Sequence, residues 1–134
     1  MNYEQSINYI HSIPKFRRPL GNANLEKLLT HLDNPQKKLK FIHIAGTNGK
    51  GSTAAMTAEI LKKSGFKTGL FTSPYLEVFN ERIRINGENI TDNDLAEYVT
   101  RVKTIMEENN ALVSEFAFIT AVSFLYFYEK QCDI

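Results

Sequence analysis

The stretch Phe41–Gly65, FIHIAGTNGKGSTAAMTAEILKKSG, constrains the fold of this chain more than any other. A short β-branched and aromatic run, Lys40–Ala45, enters a glycine-rich turn and leaves it into an alanine-rich segment closed by Ser64-Gly65. The first pattern predicts a buried strand, and the last a helix over Thr53–Lys63 with a glycine at its C-terminus. The turn between them is not the common phosphate loop. That pattern, G-x-x-x-x-G-K-[ST], requires glycine where Ile44 stands, and Gly51 separates Lys50 from Ser52. The parts of an anion site are nevertheless present in order. A helix start offers unpaired N–H groups and partial positive charge. Gly46, Gly49 and Gly51 let the backbone curl round phosphate oxygens, Lys50 supplies a cation for β/γ-phosphates, and Ser52 supplies a hydroxyl for Mg²⁺. The alternative is a glycine-rich connection without special function. Strand, lysine and hydroxyl occurring together count against it.

FKTGLFT, Phe66–Thr72, reads as a second strand, so residues 41–72 form a βαβ unit with a right-handed crossover. Upstream, Tyr3–Ile13 carries apolar residues at helical spacing and is ended by Pro14. The loop PKFRRPLGN follows, then a stripe of Leu25, Leu28, Leu29 and Leu32 with Asn22 or Asn24 as its cap. Downstream, ERIRINGENI alternates apolar and charged residues around Asn86-Gly87, a strong hairpin signal. Thr91 and Asp94 resemble a capping box ahead of a stripe of Leu95, Tyr98, Val99, Val102, Ile105 and Met106. Ser114 caps a last helix, Glu115–Lys130, which is apolar on most faces and therefore buried. QCDI reads as the approach to another strand. The expected fold is α/β, a P-loop-type, mainly parallel sheet flanked by helices, with a small β-hairpin and with part of the domain missing.

Composition narrows the setting. The 134 residues make one ordinary domain or a piece of a larger one, 43% hydrophobic and 23% charged, as in globular chains. A formal net charge of +1 gives no reason to expect nucleic acid or an anionic membrane as a partner. Cys132, alone, forms no intrachain disulfide, which favours a reducing compartment. MNYEQSINYI lacks the features of a secretory signal. The apolar run Phe116–Tyr128 falls short of the roughly 20 residues that span a bilayer. These features predict a cytoplasmic protein. His11, His31 and His43 are not clustered, and His43 reads as a core histidine of the first strand.

The run AGTNGKGS, Ala45–Ser52, resembles the ATP-binding loop of the Mur ligase superfamily, and more narrowly that of folylpolyglutamate synthases and bifunctional dihydrofolate synthases. FRRPLGNANLEKLL, LFTSPYLEVFNERIRING and SEFAFITAVSFLYF resemble further segments of that family in order and spacing. The resemblance covers nearly the whole chain but only the first part of the family's ATPase domain. It implies that residues 1–134 are the N-terminal portion of that domain, the rest of it and a C-terminal glutamate-binding domain lying elsewhere. It also implies an ATP-dependent ligase that joins L-glutamate to folate or dihydropteroate through an acyl phosphate.

Carried over by position, Thr47, Asn48, Gly49, Lys50, Gly51 and Ser52 hold nucleotide phosphates, Lys50 being the catalytic cation. Ser52 and Ser73 bind Mg²⁺, although from the residues alone Ser73 is a turn residue before Pro74. Gly21, Asn22, Ala23, Asn24, Tyr75, Arg82, Ser114, Glu115, Phe116 and Ala117 form the folate side. Two positions depart from the pattern: Tyr75 stands where many relatives have histidine, and Ala117 where they often have glutamate. Glu81 and Arg82 read equally well as a folate-loop element or as a solvated hairpin pair. Arg17 and Arg18 are candidates for an anionic tail or phosphate, loop arginines being more often simply solvated. The longer enzyme is expected to be a monomer, and this portion, with an unpaired sheet edge, to self-associate. The competing readings are a P-loop kinase or NTPase and a non-catalytic nucleotide-binding fragment.

Overall fold

A helix without a polar stripe has to sit where other elements cover it on most sides, and that requirement organises this chain. The computed structural model describes residues 1–18 and 21–134; the Pro19-Leu20 part of the loop expected after the first helix lies outside the described residues. Five helices are described: α1 (Tyr3–Ser12), α2 (Ala23–His31), α3 (Lys50–Lys63), α4 (Asp92–Glu108) and α5 (Glu115–Glu129). Three short strands join them: β1 (Gly69–Phe71), β2 (Ile83–Ile85) and β3 (Glu88–Asn89). The apolar helix is α5. It packs against α1, α2, α4 and the Pro35–Lys38 turn, and it buries Phe118, Ile119, Ala121, Val122, Leu125, Tyr126 and Phe127.

The helix ends are set by the expected chemistry. In α1 the Asn2 side chain accepts from the Gln5 N–H, and the Gln5 side chain accepts from the Asn2 N–H. The hydroxyls of Thr91 and Ser114 cap α4 and α5 by accepting from Asp94 and Ala117. Asn22 is the N-cap residue of α2 but makes no side-chain cap bond. Asn24 instead donates to the Leu112 carbonyl, tying α2 to the loop before α5. The stripe on α4 faces the core, with Leu95, Val99, Val102 and Met106 fully buried. Gly65 takes a left-handed conformation after α3, and the Phe66 N–H reaches back to the Leu61 carbonyl. The hairpin turns at Asn86-Gly87, both at positive φ, as a tight two-residue turn demands.

The α/β class and the hairpin stand, but the strands are arranged differently from the expected sheet. β1 pairs antiparallel with β2, and β2 antiparallel with β3, in the order β1-β2-β3. Lys40–Ala45 is not a buried strand. Its backbone makes no hydrogen bond among the described residues, and Phe41 and Ile42 are more than half exposed. A strand is defined by its ladder, and among the described residues no neighbouring backbone bonds to this one. His43 is accordingly exposed and is no core histidine. The helix after the loop also starts earlier than the spacing predicts, at Lys50, and it buries no residue.

A parallel pairing does begin at the free edge of β1. The Gly69 N–H donates to the Ile134 carbonyl at 2.9 Å, and the Lys67 carbonyl accepts from Asp133 at 2.7 Å and from Ile134 at 3.5 Å. The Asp133 carboxylate adds a bond from the Lys67 N–H at 2.7 Å. The expected strand approach at QCDI is therefore present.

Gly69 lets β1 lie directly against α5: a Cβ built there would stand 2.7 Å from Cδ1 of Phe127. Gly69→Ala is expected to destabilise the fold by about 1–3 kcal/mol, the usual cost of overpacking. Urea unfolding checks this, and the loss should shrink in a Phe127→Leu background, where the ring that clashes is gone.

Candidate functional site

The loop between Ala45 and Lys50 is shaped by glycine conformation. Gly46 has φ +148° and Gly49 φ +76°, values that side chains other than glycine rarely adopt. Gly49 is the N-cap residue of α3, and no side chain caps that helix start. Its first-turn N–H groups are left to whatever anion approaches. Nothing lies within 4 Å of the Cβ positions of Gly46, Gly49 or Gly51, so the space over the loop is open. Thr47, Asn48, Lys50 and Ser52 are all exposed, and Lys50 has no ion-pair partner among the described residues.

Two cavities flank this region. The larger, about 650 Å³, is bounded by residues 39–44, by the inner face of α3 from Lys50 to Leu61, by β1 with Thr72 and Ser73, and by α5. The smaller, about 280 Å³, is bounded by Gly21, Asn22 and Asn24 with Lys15 and Arg17 on one side, and by Ser114 and Ala117 on the other. Phe116 and Thr120 line both. Phe116, 56% exposed, therefore stands as the partition between them.

This divides the predicted residues. Lys50, Gly51 and Ser73 come together on the larger cavity, while Gly21, Asn22, Asn24, Ser114, Phe116 and Ala117 come together on the smaller. Thr47, Asn48, Gly49 and Ser52 of the loop line neither cavity, nor do Ala23, Tyr75, Arg82 and Glu115. Tyr75 instead packs edge-on against Phe79, ring centroids 5.7 Å apart. Arg82 acts one step back. Only 8% exposed, its guanidinium lies 5.3 Å from the Phe79 ring and 6.0 Å from the Phe71 ring, and it donates to Ser73 Oγ at 3.3 Å. Its Nε is buried without a partner. Burial pushes the guanidinium pKa down, and the nearby Glu115 carboxylate works against that shift. The solvated-pair reading fails for Arg82.

It fails for Glu81 too. The Glu81 carboxylate accepts from three successive backbone N–H groups, Leu76, Glu77 and Val78, at 2.9–3.0 Å. These bonds hold its pKa below the usual carboxylate range. Adjacent residues thus fix the 73–78 loop from both ends: Arg82 at Ser73, Glu81 at Leu76–Val78. Charge patterning could not reveal this, because the partners are backbone amides. Asn80 was also missed. Buried, it accepts from the Tyr3 hydroxyl and donates to the Ile90 carbonyl and the Asp92 carboxylate, linking α1, the hairpin and α4. Arg17 lines the smaller cavity with its Nε buried and, among the described residues, unpartnered, unlike a simply solvated loop arginine.

No family model matches the chain. It is 41% identical to the folylpolyglutamate synthase of Lacticaseibacillus casei over its full length, covering 32% of that enzyme. It is 39% identical to the dihydrofolate synthase/folylpolyglutamate synthase of Bacillus subtilis over 95% of the chain and 30% of that enzyme. It superposes with a TM-score of 0.92, at 40% identity, on a folylpolyglutamate synthetase solved with AMPPCP and folate, covering 99% of this chain and 34% of that one. The chain belongs to the folylpolyglutamate synthase and dihydrofolate synthase family. It spans about a third of the length of the relatives it matches. No helix among the described residues is long and apolar enough to cross a membrane.

The Glu81 bonds carry a pH prediction. A carboxylate with a lowered folded-state pKa stabilises the loop above its ordinary pKa, and that contribution fades as pH falls through the lowered value. The Leu76, Glu77 and Val78 amide resonances should shift together on acidification below the ordinary carboxylate range. In Glu81→Ala they should already sit at their acid positions and no longer titrate. An NMR pH titration of the two proteins checks both.

Proposed function

We propose that this chain is the nucleotide- and folate-binding N-terminal portion of an ATP-dependent amide ligase, which adds L-glutamate to folate, to dihydropteroate, or to both. The observation that carries the reading is the uncapped start of α3, with Gly46 and Gly49 at positive φ and Lys50 exposed, opening beside a second cavity across Phe116. The relative solved with AMPPCP and folate supports pairing a nucleotide with a folate in such an enzyme.

In this reading the Thr47–Ser52 backbone and the Lys50 ammonium hold the triphosphate. Their fixed dipoles and charge neutralise the negative charge that builds on the ADP leaving group as the γ-phosphoryl passes to the substrate carboxylate. Water is displaced, and the resulting acyl phosphate is open to the amino group of glutamate, with phosphate leaving. The smaller cavity takes the flat pterin end of the folate against Phe116, with Asn22 and Ser114 supplying polar contacts. Mg²⁺, when bound, neutralises phosphate charge. Ser52 and Ser73 fit it as neutral oxygen donors that need phosphate oxygens and water to complete a shell. Arg82 keeps the Ser73 hydroxyl in place. The reading also carries a cytoplasmic, monomeric enzyme with neither nucleic acid nor membrane as partner, in line with the net charge of +1.

Lys50→Ala should weaken MgATP binding about 10- to 150-fold, the range for losing a charge-assisted contact. The circular dichroism spectrum should not change, because an exposed loop lysine supports no core. Calorimetric titration measures the first. Nucleotide affinity equal to that of the unmodified chain contradicts the assignment, and MgATP binding without any folate affinity favours a P-loop kinase or NTPase instead.

A further inference from the structure

The dipeptide Asn-Gly occurs twice in this chain, at Asn48-Gly49 and at Asn86-Gly87. Glycine has no side chain to hinder its amide nitrogen from attacking the carboxamide carbon of the preceding asparagine. That attack closes a succinimide ring. It needs an asparagine side chain free to turn back over the following peptide, and a glycine N–H held by nothing else.

The two copies differ in these respects. Asn86 is fixed in the hairpin turn. Its carboxamide oxygen accepts from the Thr68 N–H at 2.9 Å, and its own N–H donates to the Thr68 carbonyl at 2.9 Å. Thr68 is itself buried. Asn48, by contrast, is exposed, and no side chain caps the start of α3 beside it. The Gly49 N–H donates to no backbone group among the described residues. Nothing lies within 4 Å of the Gly49 Cβ position, so the attacking nitrogen stands in open space. The next residue is Lys50, exposed and without an ion-pair partner among the described residues.

We propose that Asn48 is a self-modification site, and that its conversion to a carboxylate turns the phosphate loop off. The Gly49 amide nitrogen gives its proton to water and bonds to Cγ of Asn48. The Cγ–Nδ2 bond breaks and ammonia leaves. Water then opens the succinimide at either carbonyl, leaving aspartate or isoaspartate at position 48. The sequence of steps is a hydrolysis and consumes only water. Either product sets a negative charge beside Lys50, where it pairs with the ammonium and repels phosphate. Isoaspartate also routes the backbone through the side chain immediately before Gly49. The loss of nucleotide rests on the reading of this loop as a nucleotide site, whereas the modification does not.

The test incubates the chain at mildly alkaline pH. Samples taken over days are peptide-mapped by mass spectrometry and titrated calorimetrically with MgATP. Asn48 should convert about 2- to 10-fold faster than Asn86, the factor expected where one site must first break a hydrogen bond. MgATP affinity should fall in step with the converted fraction, by at least about tenfold in the fully converted chain, the effect of a like charge set beside phosphate near a protein surface. Asn48→Asp should show the weaker affinity from the start, with an unchanged circular dichroism spectrum. Asn48→Gln should keep its own starting affinity throughout, because its longer side chain closes a larger ring far more slowly. Conversion at Asn48 no faster than at Asn86 overturns the proposal, and so does MgATP affinity that ignores the converted fraction. A fresh chain that binds no MgATP rejects the nucleotide reading and the switch with it, while the mass spectra still decide the modification.

Discussion

The burial of α5 is the constraint on which the rest of the structure depends. Phe118, Ile119, Ala121 and Val122 are at most 1% exposed, and each large apolar side chain removed from water to that extent contributes about 1.5–3 kcal/mol. Four separate pieces of the chain gather on this helix: α1, α2, α4 and the Pro35–Lys38 turn. An ion pair locks its far end, where Glu129 accepts from both Arg101 guanidinium nitrogens and from the Tyr98 hydroxyl. The near end of α5 is held by the Ser114 cap and by the Glu115 N–H, which donates to the Pro14 carbonyl. There Phe116 projects between the two cavities while Phe118, two residues on, is fully buried. The candidate site is therefore supported at one boundary by the best-packed element in the chain.

The other boundary is built differently. The phosphate-loop side rests on α3, which buries nothing, and on β1, which is three residues long. Local opening concentrates where buried apolar contacts are few, and this side has few. What order it has comes from polar ties. Arg82 holds Ser73 from a nearly buried position between aromatic rings, and Glu81 gathers three amides of the loop beyond it. The two residues are adjacent in sequence, yet one acts through a side-chain hydroxyl and the other through backbone amides. The result is a well-packed helical half carrying a loop-built half.

Legibility in the sequence followed the range of each interaction. Helices α1, α4 and α5 could be read because their signals are local: capping side chains, a stripe at 3.6-residue spacing, and an apolar run. The Asn86-Gly87 hairpin was equally plain, because its turn chemistry lies within two residues. Lys40–Ala45 has the composition of a strand and remains unpaired, since composition specifies a propensity and only a neighbour supplies the ladder. The antiparallel pairing of β1 with β2 was hidden for the same reason. Within the site, the glycine conformations and the exposed Lys50 followed from the motif, and the clustering of Gly21, Asn22 and Asn24 with Ser114 and Phe116 from the resemblance alone. The positions of Tyr75, Ala23 and Glu115 away from both cavities were not foreseeable from spacing. Nor was the work of Glu81 and Asn80, whose partners are backbone groups and distant side chains.

The central claim is that nucleotide binds the Gly46–Ser52 loop at the start of α3 while folate binds the smaller cavity beside Phe116. Its most direct test is chemical-shift mapping on ¹⁵N-labelled chain, adding MgAMPPCP and folate in separate titrations. The account predicts that the nucleotide perturbs amides of Gly46–Ser52, that folate perturbs Gly21–Asn24 and Leu112–Ala117, and that Phe116 and Thr120 respond to both. Folate shifts falling on the Gly46–Ser52 loop, or nucleotide shifts confined to Gly21–Asn24, would contradict it.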